Sequence, residues 1–144
     1  MTRPRAVRLI GVPADINSSF ERGAAAAPPR IRAMLWSDHG NPACEDGAEL
    51  GRDILVDDVD VAISDVPEAD DRAIEATVAG ALAEARAPIV IGGDHSISFP
   101  VLRAVARQFG PPTILHFDAH PDLYDSFDGN RFSHASPFAR IMEQ

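Results

Sequence analysis

The sequence predicts an α/β fold, a three-layer arrangement of a parallel sheet with helices on both faces. Three observations predict it. Short apolar runs alternate along the chain with stretches of helical period. Those runs are close to continuous, as strands buried on both faces must be. Two segments rich in His and Asp each directly follow a predicted strand end, and open α/β sheets gather their sites at the carboxyl edge.

The elements follow in order. Residues 6–12 form a compact apolar run ended by Pro13, which reads as a buried strand. Residues 17–29 hold Ser, Gly, Ala and Pro and read as a loop. Pro28 and Pro29 suit the first turn of a helix, where the missing N–H costs nothing. Ile31, Leu35 and Met34 give that helix an apolar face. Residues 54–63 alternate in part and predict an acidic strand. Residues 68–86 predict a helix, because Ile74, Val78, Ala81, Leu82 and Ala85 keep the helical period. Residues 88–91 are a short buried strand broken by Gly92-Gly93. Ser98 and Pro100 open a helix that runs to about Phe109 and is stopped by Gly110-Pro111-Pro112. Residues 113–117 predict a further buried strand, and a last helix begins near Ser136.

With 144 residues, 45% hydrophobic and 24% charged, the chain matches an ordinary globular domain large enough for a core. The formal net charge is −9, and eight of the acids lie between Asp53 and Asp71. That balance disfavours nucleic acid and anionic membranes as partners and suits a cationic small molecule. No apolar run approaches membrane-spanning length, and no signal-peptide core is visible at the N-terminus. The single thiol, Cys44, sits in a polar stretch and cannot form an internal disulfide. A cytoplasmic setting is expected from it and from the opening residues Met1 to Arg5.

The first chemistry-bearing segment is Gly92-Gly93-Asp94-His95-Ser96. Its glycines allow a sharp turn that delivers Asp94 and His95 to the sheet edge. It lacks the lysine of a P-loop and the spacing of a dinucleotide fingerprint. The second segment is His116-Phe117-Asp118-Ala119-His120-Pro121-Asp122. Asp118, His120 and Asp122 are spaced by two, so in an extended chain they project to one side. Carboxylate with imidazole and no thiolate suits a transition ion, manganese first. His39, in a polar loop, and His116, within a strand, read as structural. Trp36 and Tyr124 read as packing, although Tyr124 borders the site.

These two segments resemble signature motifs of the ureohydrolase family, which includes arginase, agmatinase, formiminoglutamase and guanidinobutyrase. The stretch from Gly11 to Ala24, the following Ala27-Pro28-Pro29-Arg30-Ile31-Arg32, and the loop from Gly129 to Phe138 are similar to the same family, the loop on its agmatinase side. The resemblance implies an arginase-like fold, two Mn(2+) ions per complete active site and a guanidino substrate. It implies that Asp118 bridges both ions, that His95 and Asp122 bind one, and that His120 binds the other. It gives His134 the role of proton shuttle to the leaving amine and Asp94 that of a residue orienting a ligand or a loop. The ions would activate a water toward the guanidinium carbon, and the products would be urea and an amine. Trimers or hexamers are also implied.

Two departures from the family pattern stand out. Arginases carry an isoleucine and then an asparagine after the Asp-x-His-x-Asp motif, and the asparagine helps bind the amino-acid carboxylate. Here the chain reads Leu123-Tyr124-Asp125. The added acid favours a cationic tail, so agmatine or another non-arginine guanidino compound is expected, with Tyr124, Asp125 and Asn130 as substrate contacts. The later aspartate pair and the glutamate of the family are not found before Gln144. Residues 1–144 are therefore expected to be the N-terminal portion of a single arginase-like domain, incomplete on its C-terminal side. Alone, the chain should bind metal weakly and hydrolyse little or nothing. The alternatives are an inactive short paralogue that partners a full-length ureohydrolase, and a single-zinc hydrolase of the deacetylase kind.

Overall fold

A computed structural model describes residues 6–84 and 86–144. The opening residues Met1 to Arg5, and Ala85 of the predicted helix, lie outside the described residues. Three parallel strands, β1 (Val7–Val12), β2 (Leu55–Asp60) and β3 (Ala87–Gly92), form one sheet in the order β2-β1-β3. Four helices accompany them: α1 (Ala27–Leu35), α2 (Pro67–Ala83), α3 (Ser98–Phe109) and α4 (Pro137–Met142). The connection through α1 steps one way along the sheet and the connection through α2 steps the other. Right-handed crossovers then put these helices on opposite faces.

Side chains agree with that placement. Ile10 and Val12 of β1 are fully buried and join Ile74 and Val78 of α2 and Ala104 of α3 in one core. Burying each of these Ile and Val side chains contributes roughly 1.5–3 kcal/mol. Gly11 faces the other way: a Cβ there would run into Arg32 of α1 and Asp60 of β2. On that face Arg32 pairs with Asp57 and Asp60, and the Trp36 indole N–H donates to Asp57 at 2.6 Å. The continuous apolar run at β1 is thus the signature of a strand covered on both sides.

The helices start and stop for local reasons. Pro67 opens α2, with Glu68 and Asp70 in its first turn, where acids complement the helix dipole. The helix ends at Ala83 rather than at Arg86, because the chain must turn to enter β3 at Ala87. The acidic strand is likewise shorter than residues 54–63, ending at Asp60. Val61 still donates its N–H to the Gly11 carbonyl at 2.8 Å and is buried. α3 matches its predicted span and ends on Gly110 at φ 82°, a left-handed stop that glycine adopts freely.

One predicted element is not there. Residues 113–117 form no strand, and Leu115 and Phe117 are 79% and 88% exposed. Their apolar character calls for neighbouring strands, and none pairs with them among the described residues. An open cleft of about 300 Å³ lies between Val90 of β3 and the run Ile114, Leu115 and His116. Among the described residues β3 pairs with β1 alone, and its other edge takes no partner. No helix of the described residues is long and apolar enough to cross a membrane.

Candidate metal centre

Two loops meet beside the carboxyl edge of the sheet, one leaving β3 and one following the non-strand run 113–117. The first begins where β3 ends. A Cβ on Gly93 would overlap the backbone carbonyls of Val12 and Ala14, so only glycine lets this loop pass so close to the end of β1. Asp94 donates its N–H to the Ala14 carbonyl at 2.8 Å. Its carboxylate accepts the Ser96 N–H at 2.9 Å, the Ser96 hydroxyl at 2.5 Å and the Asn17 N–H at 3.0 Å. Asp94 thereby caps the short 3-10 turn His95–Ile97 and fixes where His95 stands.

The second loop follows residues 113–117. Asp122 is buried and holds a left-handed backbone, φ 48°, which Asp tolerates better than most residues. Its carbonyl accepts the Phe138 N–H at 3.2 Å, so α4 braces the loop. The Asp122 carboxylate lies 2.6 Å from His95 Nδ1. Asp118 accepts the His120 N–H at 2.9 Å, and this bond, assisted by the nearby His116 and His95 rings, holds its carboxyl below the usual carboxylate range.

Ligand atoms of His95, His116, Asp118 and Asp122 all lie within 4.8 Å of one another. Octahedral bonds of about 2.1 Å separate cis donors by about 3.0 Å and trans donors by about 4.2 Å. The four groups are near enough to gather on one ion after small side-chain shifts, and their imidazole and carboxylate donors suit a divalent transition metal. Of the four predicted ligands, three converge. His120 stays outside the cluster: its ring is 76% exposed, with Nδ1 at 3.6 Å from Asp118 Oδ1. The strict alternation expected for residues 118–122 fails because the chain there is a bent loop rather than a strand.

His116, read from the sequence as structural, belongs to the cluster. Its ring stacks on His95 at 5.3 Å and tilts against Phe138 at 4.4 Å. The alternation that singled out Asp118 and Asp122 would have singled it out too, had the strand reading not assigned it to packing. Asn17 was also missed. It binds Asp94 through its N–H, donates its side-chain amide to Ser96 Oγ at 3.1 Å, and accepts from Asn130 at 2.9 Å. Its carbonyl lies 3.0 Å from His134 Nδ1. One loop residue thus ties three candidate site residues and Ser96 together; it lies in the stretch Gly11 to Ala24 that resembles the family, but no chemistry of its own singled it out.

His134 is half-buried and outside the donor cluster. Its Nδ1 faces the Asn17 carbonyl, so Nδ1 carries the hydrogen; Nε2 lies 3.4 Å from the Ser19 hydroxyl. The expected substrate contacts are engaged elsewhere. Asp125, expected to add free negative charge, accepts from Arg140 and from Arg131 at 3.0 Å each, and these guanidinium groups push its pKa down. Asn130 closes the tight turn at Asp128-Gly129 and accepts the Phe132 N–H at 2.8 Å. Tyr124 is half-exposed and packs edge-on against Phe127.

The family model described as "Arginase family" matches residues 5–144. Arginase 1, mitochondrial, of Arabidopsis thaliana is 49% identical over an alignment covering 94% of this chain and 42% of that protein. The mitochondrial agmatinase of Gallus gallus is 34% identical, with 94% of this chain and 40% of that protein covered. Among solved structures, an arginase from Medicago truncatula superposes with a TM-score of 0.86 at 46% identity, covering 97% of this chain and 47% of that one. The chain thus spans about two fifths of the length of the curated relatives it matches. With the motif loops, the parallel sheet and the match along nearly its whole length, the chain belongs to the arginase family.

Proposed function

We propose that this chain supplies one half of a metal-dependent guanidino hydrolase centre, as the N-terminal portion of a single arginase-like domain. The observation that carries the reading is the convergence of His95, from the loop after β3, with Asp118 and Asp122, from the loop after residues 113–117. Bound manganese would contribute Lewis-acid activation of water. Asp118 is kept anionic by the His120 N–H and so presents a lone pair at neutral pH. His120, on the open side of Asp118, is placed toward a second ion. His134, its Nδ1 hydrogen fixed on the Asn17 carbonyl, has Nε2 as the atom that takes up and hands on a proton.

The preference for agmatine rested on Tyr124 and Asp125. Asp125 is paired with Arg131 and Arg140, which also hold Glu143, so that charge argument weakens. The relative named an arginase is 49% identical and the one named an agmatinase 34%. The weight therefore moves to L-arginine, with agmatine second. Trimeric or hexameric assembly belongs to the same proposal and is read by light scattering. A cytoplasmic setting is proposed from the single thiol, although the relatives above are named as mitochondrial; cell fractionation decides.

Calorimetric titration with manganese, followed by urea release over L-arginine, agmatine, guanidinobutyrate and guanidinopropionate, tests the reading. Binding that Asp122→Ala abolishes, and slow urea release led by L-arginine, are expected. Agmatine leading would restore the charge argument. Little or no urea from any of the four fits a half-centre; release at the rate of a complete enzyme overturns the half-centre reading, and manganese binding unchanged in Asp122→Ala overturns the metal assignment.

A further inference from the structure

Away from the metal loops, α2 and α3 border a surface groove of about 330 Å³, and none of its lining residues belongs to either loop. Arg72, Ala76 and Ala79 line it from α2, spaced by four and three, so they share one side of that helix. Ala104, Arg107 and Gln108 line it from α3, again at helical spacing. The three alanines are short, and that leaves the space between the helices open.

The charges there do not balance. Glu75 is buried in the groove wall, and both its oxygens are engaged, one by Arg103 at 2.6 Å and the other by Arg107. Three guanidinium groups, those of Arg72, Arg103 and Arg107, therefore stand against one carboxylate. Asp71 interacts with Arg103 but is not a lining residue. Arg72 is exposed, and among the described residues it makes no hydrogen bond or ion pair. Arg107 gives one nitrogen to Glu75, and its side chain is 70% exposed, so the rest of its fork is open. In a chain of net charge −9, two open guanidinium groups on one groove mark an anion site.

We propose that this groove binds a small organic dianion, a phosphate monoester or a dicarboxylate. Its charged end sits between Arg72 and Arg107, and its carbon part lies on the alanine floor. A guanidinium fork matches paired oxygens of either group. The Gln108 amide can donate to a remaining oxygen. The groove is at the small end of ligand pockets, which run from roughly 300 to 1,000 Å³. Arg72 is on α2 and Arg107 on α3, so a ligand that holds both binds only the packed pair and stabilises the fold. The metal centre takes no part, and its failure would leave this site untouched.

Calorimetric titration of the 144-residue chain tests this with two probes, glycerol 3-phosphate and succinate, at low ionic strength, where exposed charges are least screened. Saturable binding of at least one probe is expected, with a rise in Tm when it is bound. Arg72→Gln should weaken binding at least ~10-fold and remove the rise, as loss of one charge-assisted contact does. Having no partner, Arg72 can be replaced without disturbing the fold. Arg107→Gln should weaken binding likewise, with circular dichroism reporting its folding. Arg30→Gln makes the same charge change at an exposed residue of α1 and should leave the Kd as it was. Tighter glycerol 3-phosphate assigns a phosphate head, and tighter succinate a dicarboxylate. No saturable binding of either probe up to about 10 mM, ten times a millimolar Kd, overturns the proposal. So does binding that Arg72→Gln leaves unchanged, or that Arg30→Gln weakens equally.

Discussion

Gly93 is where a single atom decides whether the site can form. An added Cβ would meet main-chain carbonyls, which cannot rotate away as a side chain can. Gly93→Ala should lower stability by about 2 kcal/mol in urea titration and weaken metal binding. Asp71 acts in the opposite sense. Burial raises its pKa from 3.8 to about 6, against the pull of Arg103. A carboxyl raised in the folded state favours folding at low pH, where it is protonated in both states. That contribution is lost as pH rises from about 4 to 6, and above 6 the buried charge opposes folding. Asp71→Asn should therefore add about 1 kcal/mol at pH 7, after discounting for solvent screening, and nothing near pH 3.5. Thermal melts across that range check it. Much of the metal cluster was legible at this scale, since Asp118 and Asp122 share a side in any extended reading and His95 follows a glycine turn. What was not legible came from distant packing. His116 packs against Phe138 beside the cluster, and Asp125 is held in ion pairs because Arg131 and Arg140 lie within reach.

Between elements, the α2–α3 contact is clamped by charge. Glu75 of α2 is buried and takes Arg103 of α3 at 2.6 Å together with Arg107. Glu75→Ala would leave Arg103 without its partner and is expected to cost about 2 kcal/mol by urea denaturation. Arg107→Ala, at an exposed arginine, should cost well under half of that. The elements that the sequence made plain are those whose periodicity serves one local purpose. β1 is apolar because both faces are covered, and α3 carries its stop signal in Gly110. Residues 113–117 look the same on paper as β1. Strand formation there depends on neighbours, and among the described residues none pairs with this run.

Across the whole molecule, that missing pairing leaves apolar surface in water. Ile89 on the free edge strand β3, with Leu115 and Phe117, is exposed, and unpaired apolar edges promote association. The chain should self-associate in a concentration-dependent way on light scattering, and Phe117→Ser should reduce it without changing circular dichroism. The functional claim remains centred on the carboxyl edge, where two loops place His95, Asp118 and Asp122 around one point. Anomalous X-ray scattering from crystals of the manganese-soaked chain tests it most directly. A manganese peak within bonding distance of His95, Asp118 and Asp122 is the predicted result. Manganese found elsewhere on the chain, or none in crystals that leave this edge open to solvent, would contradict it.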